Sequence, residues 1–270
     1  ANGVVLINTK LGKSGAAKYS FRAESRLSTN SRNFQMADNI TYMYMENEAI
    51  AARNEEALPR YTTNKIRSTI AGDDPYLFPN NDWIDQLIKP YTVNQSYNLN
   101  ISGGTDKGRY YIAGTYNRDN GNLKVDPIND FNNNIKLQNY SIRSNIDVDL
   151  TENTKLITRI YGQFDDYTGP IGGRVDNRYA NGGEWIFLNS IWSNAVMFPA
   201  TFPAEKEPFI DHPLFGTNIV TQGNSIGILT NPYALMVRGY QTYKTSNLMP
   251  QVELKQKLDF VTPGLSFRGM

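Results

Sequence analysis

Cysteine is absent from the 270 residues, histidine occurs once, and charge of neither sign prevails. No stretch of about 18 consecutive apolar residues exists, so a membrane-spanning helix is excluded. The missing cysteines remove disulfides, thiolate metal sites and cysteine nucleophiles together. The single histidine, His212, would have to serve any Ser-His-Asp arrangement, yet it lies in Phe209-Ile210-Asp211-His212-Pro213 with no nucleophile motif nearby. A net charge of +1 offers no electrostatic footprint for nucleic acid.

What the chain has is alternation. Six stretches place apolar and polar residues in turn, and side chains in a strand point alternately to opposite faces. In 93–102, Val93, Gln95, Tyr97, Leu99 and Ile101 share one face, and Asn94, Ser96, Asn98, Asn100 and Ser102 the other. In 18–27 the dry face is Tyr19, Phe21, Ala23 and Leu27, against Lys18, Arg22, Glu24 and Arg26. In 137–150, Tyr140, Ile142, Ile146, Val148 and Leu150 oppose Asn139, Arg143, Asn145, Asp147 and Asp149. In 248–260, Leu248, Val252, Leu254, Leu258 and Phe260 oppose Glu253, Lys255, Lys257 and Asp259. Strands 109–118 and 154–164 are less regular, with Tyr110, Ile112 and Tyr116 on one dry face and Leu156, Ile160 and Phe164 on the other. Such strands separate an apolar from an aqueous phase, either at the rim of a soluble core or between lipid and a wet lumen.

The connectors favour lipid. Thr105-Asp106-Lys107-Gly108, Thr151-Glu152-Asn153 and Val261-Thr262-Pro263-Gly264 are tight turns, the last leading into a seventh strand that stops at Met270. The intervening connectors, 29–92, 119–136 and 166–247, are long. Outer-membrane barrels alternate short periplasmic turns with long extracellular loops. A soluble sandwich has no reason to sort its loops by parity. The expectation is an all-β fold: a portion of a large transmembrane antiparallel β-barrel. The chain opens at Ala1 without an initiator Met or signal peptide and stops in what reads as mid-strand, so a piece of a barrel is expected. Barrels of about 22 strands with a plugged lumen belong to outer-membrane transporters.

Other chemistry finds little support. Gly12-Lys13-Ser14 ends like a phosphate-binding loop, but Ile7 stands where that motif needs glycine. Asp165-Asp166 and Glu205-x-Glu207 are paired carboxylates at a strand end and in a Pro-rich loop, where charge keeps the chain wet. Asp119–Asn134 is rich in oxygen ligands without the spacing of a calcium loop. No catalytic residue, cofactor or metal is expected. Residues 33–56 permit one or two amphipathic helices ended by Pro59, packed over the barrel rim or facing a capping partner. The third long connector carries Tyr179, Trp185, Trp192, Phe198 and Phe202, candidate contacts for ligand or partner, since aromatic rings stack on sugars and peptides.

The first residues differ in kind. Ala1-Asn2-Gly3-Val4-Val5-Leu6-Ile7-Asn8-Thr9-Lys10 is a buried-type strand followed by Leu11-Gly12-Lys13-Ser14-Gly15. This run resembles the end of the plug domain in the SusC/RagA-type TonB-dependent outer-membrane transporters. The resemblance continues in Phe78-Pro79-Asn80-Asn81-Asp82-Trp83, in Asn98-Leu99-Asn100-Ile101-Ser102-Gly103-Gly104-Thr105-Asp106-Lys107, in Asn231-Pro232-Tyr233 and in Gly264-Leu265. It implies that residues 1–15 end the plug and 16–270 form the first third of the barrel, about seven strands with the last truncated. It further implies TonB-dependent import of a glycan or peptide across the bacterial outer membrane, without enzymatic activity. The implied partners are a SusD-like lipoprotein on the extracellular face, the TonB complex acting outside this segment, and outer-membrane lipid. The alternatives are an outer-membrane barrel that scaffolds a surface complex and a soluble all-β carbohydrate-binding module. Two substitutions express the expected facing: Ile146→Arg should cost about 2–4 kcal/mol near the membrane midplane, and Asn145→Arg much less.

Overall fold

The computed structural model describes residues 10–30, 35–175, 178–203, 212–222 and 225–270. The strand expected at 1–10 falls almost wholly outside them. Strands β1 (Gly15–Thr29), β2 (Tyr91–Gly104), β3 (Gly108–Asn120), β4 (Lys136–Asp149) and β5 (Thr154–Pro170) pair in chain order. Three short hairpins follow: β6–β7 (Gly173–Val175 with Arg178–Ala180), β8–β9 (Thr201–Phe202 with Leu214–Phe215) and β10–β11 (Ile219–Gln222 with Ser225–Ile228). Then β12 (Tyr240–Lys257) joins β5, and β13 (Ser266–Gly269) joins β12, completing a seven-stranded antiparallel sheet. Because every neighbour is antiparallel and adjacent in order, all tight turns fall at one end and all long excursions at the other.

Register converts the alternation into two continuous faces. One transverse row reads Tyr19, Ile101, Ile112, Ser144, Ile160 and Pro250, and the next reads Phe21, Leu99, Gly114, Ile142, Gly162 and Leu248. On the opposite face, two rows are polar throughout across the first six strands: Arg22, Asn98, Thr115, Ser141, Gln163 and Asn247, then Glu24, Ser96, Asn117, Asn139, Asp165 and Thr245. Ile142, Ile146 and Val148 lie on the dry face, and Arg143, Asn145 and Asp147 on the wet one, as the alternation requires.

The dry face has a defined upper limit. Above the aliphatic rows runs Ala23, Tyr97, Tyr116, Tyr140, Phe164 and Ser246, and above that Ser25, Gln95, Arg118, Gln138, Asp166 and Lys244. Tyr97, Tyr116 and Tyr140 are neighbours at centroid separations of 6.1 and 4.9 Å. Gln138 Nε2 donates to both the Tyr116 and Tyr140 hydroxyls, at 2.7 and 3.1 Å. From Val148 to Tyr140 the strand climbs about 27 Å at ~3.4 Å per residue, or about 20 Å along the membrane normal at a tilt near 40°. Barrel proteins carry an outward apolar band about 25 Å tall edged by aromatic girdles.

Two strands exceed their expected lengths. β5 continues past 164 to Pro170, and β12 begins at Tyr240 rather than 248. Their upper halves are polar on both faces, which hides them from an alternation test. They are held by the stacked pair Tyr167 and Tyr243, 4.6 Å apart, and by Lys244 with Asp166 at 3.3 Å. At the other end β12 stops at Lys257, so Leu258 and Phe260 belong to a turn in which Asp259 accepts the Gly264 N–H at 2.8 Å. Gly264 has φ +83°, a conformation favourable only to glycine.

The main buried apolar clusters lie in the excursions rather than in the sheet. The first contains α1 (Asn39–Arg53), α2 (Thr63–Ala71) and α3 (Trp83–Leu87), and the third contains α4 (Gly182–Trp192) and α5 (Pro232–Val237). Leu87 and Ile88 from the first, Leu123 from the second, and Ile186, Met236 and Val237 from the third form one cluster. Met43, Tyr61 and Ile66 close a second cluster on Val196. Three connectors read from the sequence as separate loops thus fold together as a single cap over one end of the sheet. The helix expected within 33–56 is α1, capped by Asp38, whose carboxylate accepts from Ile40 N and Thr41 N.

Candidate functional site

The wet face of the sheet is a hydrogen-bonded surface. Ser96 Oγ donates to Asn117 Oδ1 at 2.6 Å, Asn117 Nδ2 to Asn139 Oδ1 at 3.4 Å, and Asn139 Nδ2 to Asp165 Oδ1. Asp165 also accepts from Gln163 Nε2 at 3.3 Å, and Gln163 accepts the Tyr161 hydroxyl at 2.8 Å. The Arg143 guanidinium lies 5.0 Å from the centre of the Tyr161 ring, a cation–π distance. This upper part offers amides, hydroxyls, the carboxylates of Glu24 and Asp165 and the guanidinium of Arg143. Nearer the tight turns the face carries ion pairs: Asp147 with Arg159 at 2.5 Å and Lys155 at 3.5 Å, and Glu253 with Arg268 at 2.7 Å and Lys255 at 3.3 Å. Asp165 and Asp166 face opposite sides, so they do not form an acid–base pair.

The segment Lys10–Ser14 lies on this face. Asn145, 4% exposed, donates through Nδ2 to the Lys10 carbonyl at 2.7 Å. Its substitution by Arg is therefore not the mild change that alternation alone implies, since it removes this bond and the room beneath the segment. Sequence periodicity assigns Asn145 a face and cannot assign it an occupant.

The sequence-predicted aromatics divide. Phe198 is 2% exposed, its ring 5.8 Å from that of Trp83, and so presents no free face. Phe202 stacks on Tyr76 at 5.5 Å, and Trp185 fills the space beside Gly173, where a Cβ would stand 2.4 Å from its indole. Tyr179 and Trp192 remain exposed, at 60% and 63%. The Tyr179 hydroxyl reaches Gln241 Oε1, at 3.5 Å, where the cap meets the wet face. Glu205 and Glu207 lie outside the described residues. His212 is exposed, with Nδ1 3.0 Å from the Pro213 carbonyl.

Two of the motifs that carry the family resemblance, at 78–83 and 231–233, are clamps of the cap. Asn81 Nδ2 donates to the Ala195 and Phe198 carbonyls at 3.0 and 2.8 Å, while Asp82 caps α3 through Asp85 N at 2.8 Å. Asn231 caps α5 through Tyr233 N and Ala234 N and donates to the Ala200 and Gly216 carbonyls. Tyr233 reaches across to Asp126 of the second excursion at 2.8 Å, and burial, followed by that carboxylate, pushes its phenol up. Tyr61 likewise is pushed up by burial and donates to Glu46 at 2.9 Å, with Asn194 of the third excursion donating to it at 2.8 Å. Hydrogen bonding to Arg178 holds the Glu184 carboxyl below the usual range. Polar clamps thus tie the three excursions to one another.

No protein-family model matches the chain. Two curated proteins of Formosa agariphila are similar to it. TonB-dependent receptor P26 is 30% identical over 173 residues, covering 64% of this chain and 16% of the relative. TonB-dependent receptor P3 is 25% identical over 268 residues, covering 97% of this chain and 22% of the relative. Among solved structures, the RagAB peptide transporter matches with TM-score 0.56 and 15% identity over 96% of this chain and 28% of that one. The RagAB peptide importer in its closed-closed state matches with TM-score 0.51 and 16% identity, over 92% and 27%. The chain therefore spans about a fifth of the curated relatives' length. Its sequence is similar to TonB-dependent receptors, and its seven-stranded sheet has the fold of part of the RagA-type barrel, in agreement with the resemblance to the SusC/RagA type.

Proposed function

We propose that this chain supplies wall and extracellular cap to a non-enzymatic, TonB-dependent importer of the bacterial outer membrane. Residues 1–15 would bring the chain out of a plug, and 16–270 would form the first third of the barrel. The cargo is a glycan or peptide, and a SusD-like lipoprotein covers the cap. The observation that carries this reading is the pair of sheet faces. An aliphatic band edged by a tyrosine row suits lipid, and an amide-rich face opposite it suits a wet passage. The ladder from Ser96 to Tyr161 presents acceptors and donors to a polar cargo, and exposed Tyr179 and Trp192 offer rings near the entrance.

Uptake of labelled oligosaccharides and oligopeptides tests this directly. Cells lacking the full-length gene and cells lacking TonB should lose import of the same cargo. Undiminished uptake without TonB would overturn energised import. Loss of a surface complex with uptake intact would favour the scaffold.

A further inference from the structure

Lys10–Gly15 reaches β1 by a path with almost no slack. It starts over β4, where Asn145 holds the Lys10 carbonyl at 2.7 Å, and ends where Gly15 pairs with Gly104 of β2 as β1 begins. Crossing from β4 to β1 traverses three strand spacings in the order β1-β2-β3-β4, about 14 Å at ~4.8 Å each. The five residue steps from Lys10 to Gly15 reach about 16 Å when extended. A segment this close to its limit cannot wander.

Two further contacts fix it. Gly12 is buried against the β3 backbone, and a Cβ there would stand 2.4 Å from both N and O of Tyr110. Ser14 Oγ donates to Asp106 Oδ1, in the β2–β3 turn, at 3.3 Å. The segment then turns into β1 through Gly15, with φ +130°, and a register irregularity between Gly15 and Lys18.

We infer that Lys10–Ser14 is a pinned strap, held to the inner wall by the Asn145 amide, by the close seat of Gly12 on Tyr110 and by Asp106. Asn145 is its positioning residue: force on the chain upstream of Lys10 is taken up at β4 rather than passed into β1. This rests on the reading that a plug precedes the strap. Any rearrangement of that plug during transport is then confined to residues before Lys10.

The test measures distance rather than transport, so its failure is distinct from failure of the import reading. In the full-length protein, nitroxide labels at Lys13→Cys and Lys257→Cys are read by pulsed electron resonance, in the parent and with Asn145→Leu or Ser14→Ala added. The parent should give one narrow distance distribution, and Asn145→Leu should at least double its width, with Ser14→Ala intermediate. Barrel assembly is followed by the mobility shift of unheated protein on gels, and Ser14→Ala keeps the test open if Asn145→Leu does not assemble. A broad distribution in the parent, or one unchanged by the variants, would overturn the pinned strap.

Discussion

Asn231 and Asn81 are 6% and 7% exposed, and each donates to two backbone carbonyls; those of Ala200 and Ala195 also accept backbone N–H groups, from Gly216 and Asn81, while those of Gly216 and Phe198 lean on the side chain. Removing such a side chain leaves buried carbonyls and N–H groups unpaired, at about 1–3 kcal/mol per orphaned group. Asn231→Ala and Asn81→Leu should therefore loosen the cap by that order while the sheet stays formed, seen as faster hydrogen exchange in 182–198 but not in β3 or β4. Equal exchange in variant and parent would remove the clamping role. Tyr233→Phe should act in the same direction more weakly, about 1 kcal/mol, since it deletes one bond to Asp126. In the sequence these positions are visible only as family motifs. Motif spacing identifies a side chain as required without saying that its partner lies in another excursion.

At the scale of elements, the two faces test each other. Ile142 and Ser141 are neighbours on opposite faces, the first in the aliphatic band and the second in the polar row with Gln163 and Thr115. Ile142→Arg should cost about 1–2 kcal/mol of barrel stability, because its charge enters hydrocarbon between the tyrosine row and the midplane, and Ser141→Arg clearly less. Equal losses in folding titrations from detergent micelles would contradict the facing. A deletion within 180–210 should not act on the third excursion alone. Ile186 and Val196 sit in the two apolar clusters, so removing them should disorganise all three excursions together. The β1 to β5 ladder keeps its own hydrogen bonds, and the barrel should still assemble. Trp192→Ala, at an exposed ring, is the change that probes contact alone. Strand order, facing and loop parity were legible in the sequence because each depends on a period of two and on turn residues. Of the cap only α1 was legible, and two of the other helices are too short to show a period: α3 runs only from Trp83 to Leu87 and α5 only from Pro232 to Val237. Their apolar faces make sense only against one another, across separations that no local period records. Aromatic content pointed to Phe198 as a contact, and burial against Trp83 makes it core.

For the whole molecule, the proposed function makes the sheet a membrane wall with its cap outside the cell and its tight turns in the periplasm. Leu58, 88% exposed, marks the cap, and Glu152, exposed in the β4–β5 turn, marks the opposite end. Single cysteines at these positions in the full-length protein, in a cysteine-free background and in cells lacking the surface partner, can be treated with a membrane-impermeant maleimide. Leu58→Cys should label in intact cells, and Glu152→Cys only after the outer membrane is opened. Labelling of Glu152→Cys but not Leu58→Cys in intact cells would reverse the topology. Equal labelling of both in a soluble fraction would contradict the membrane wall itself.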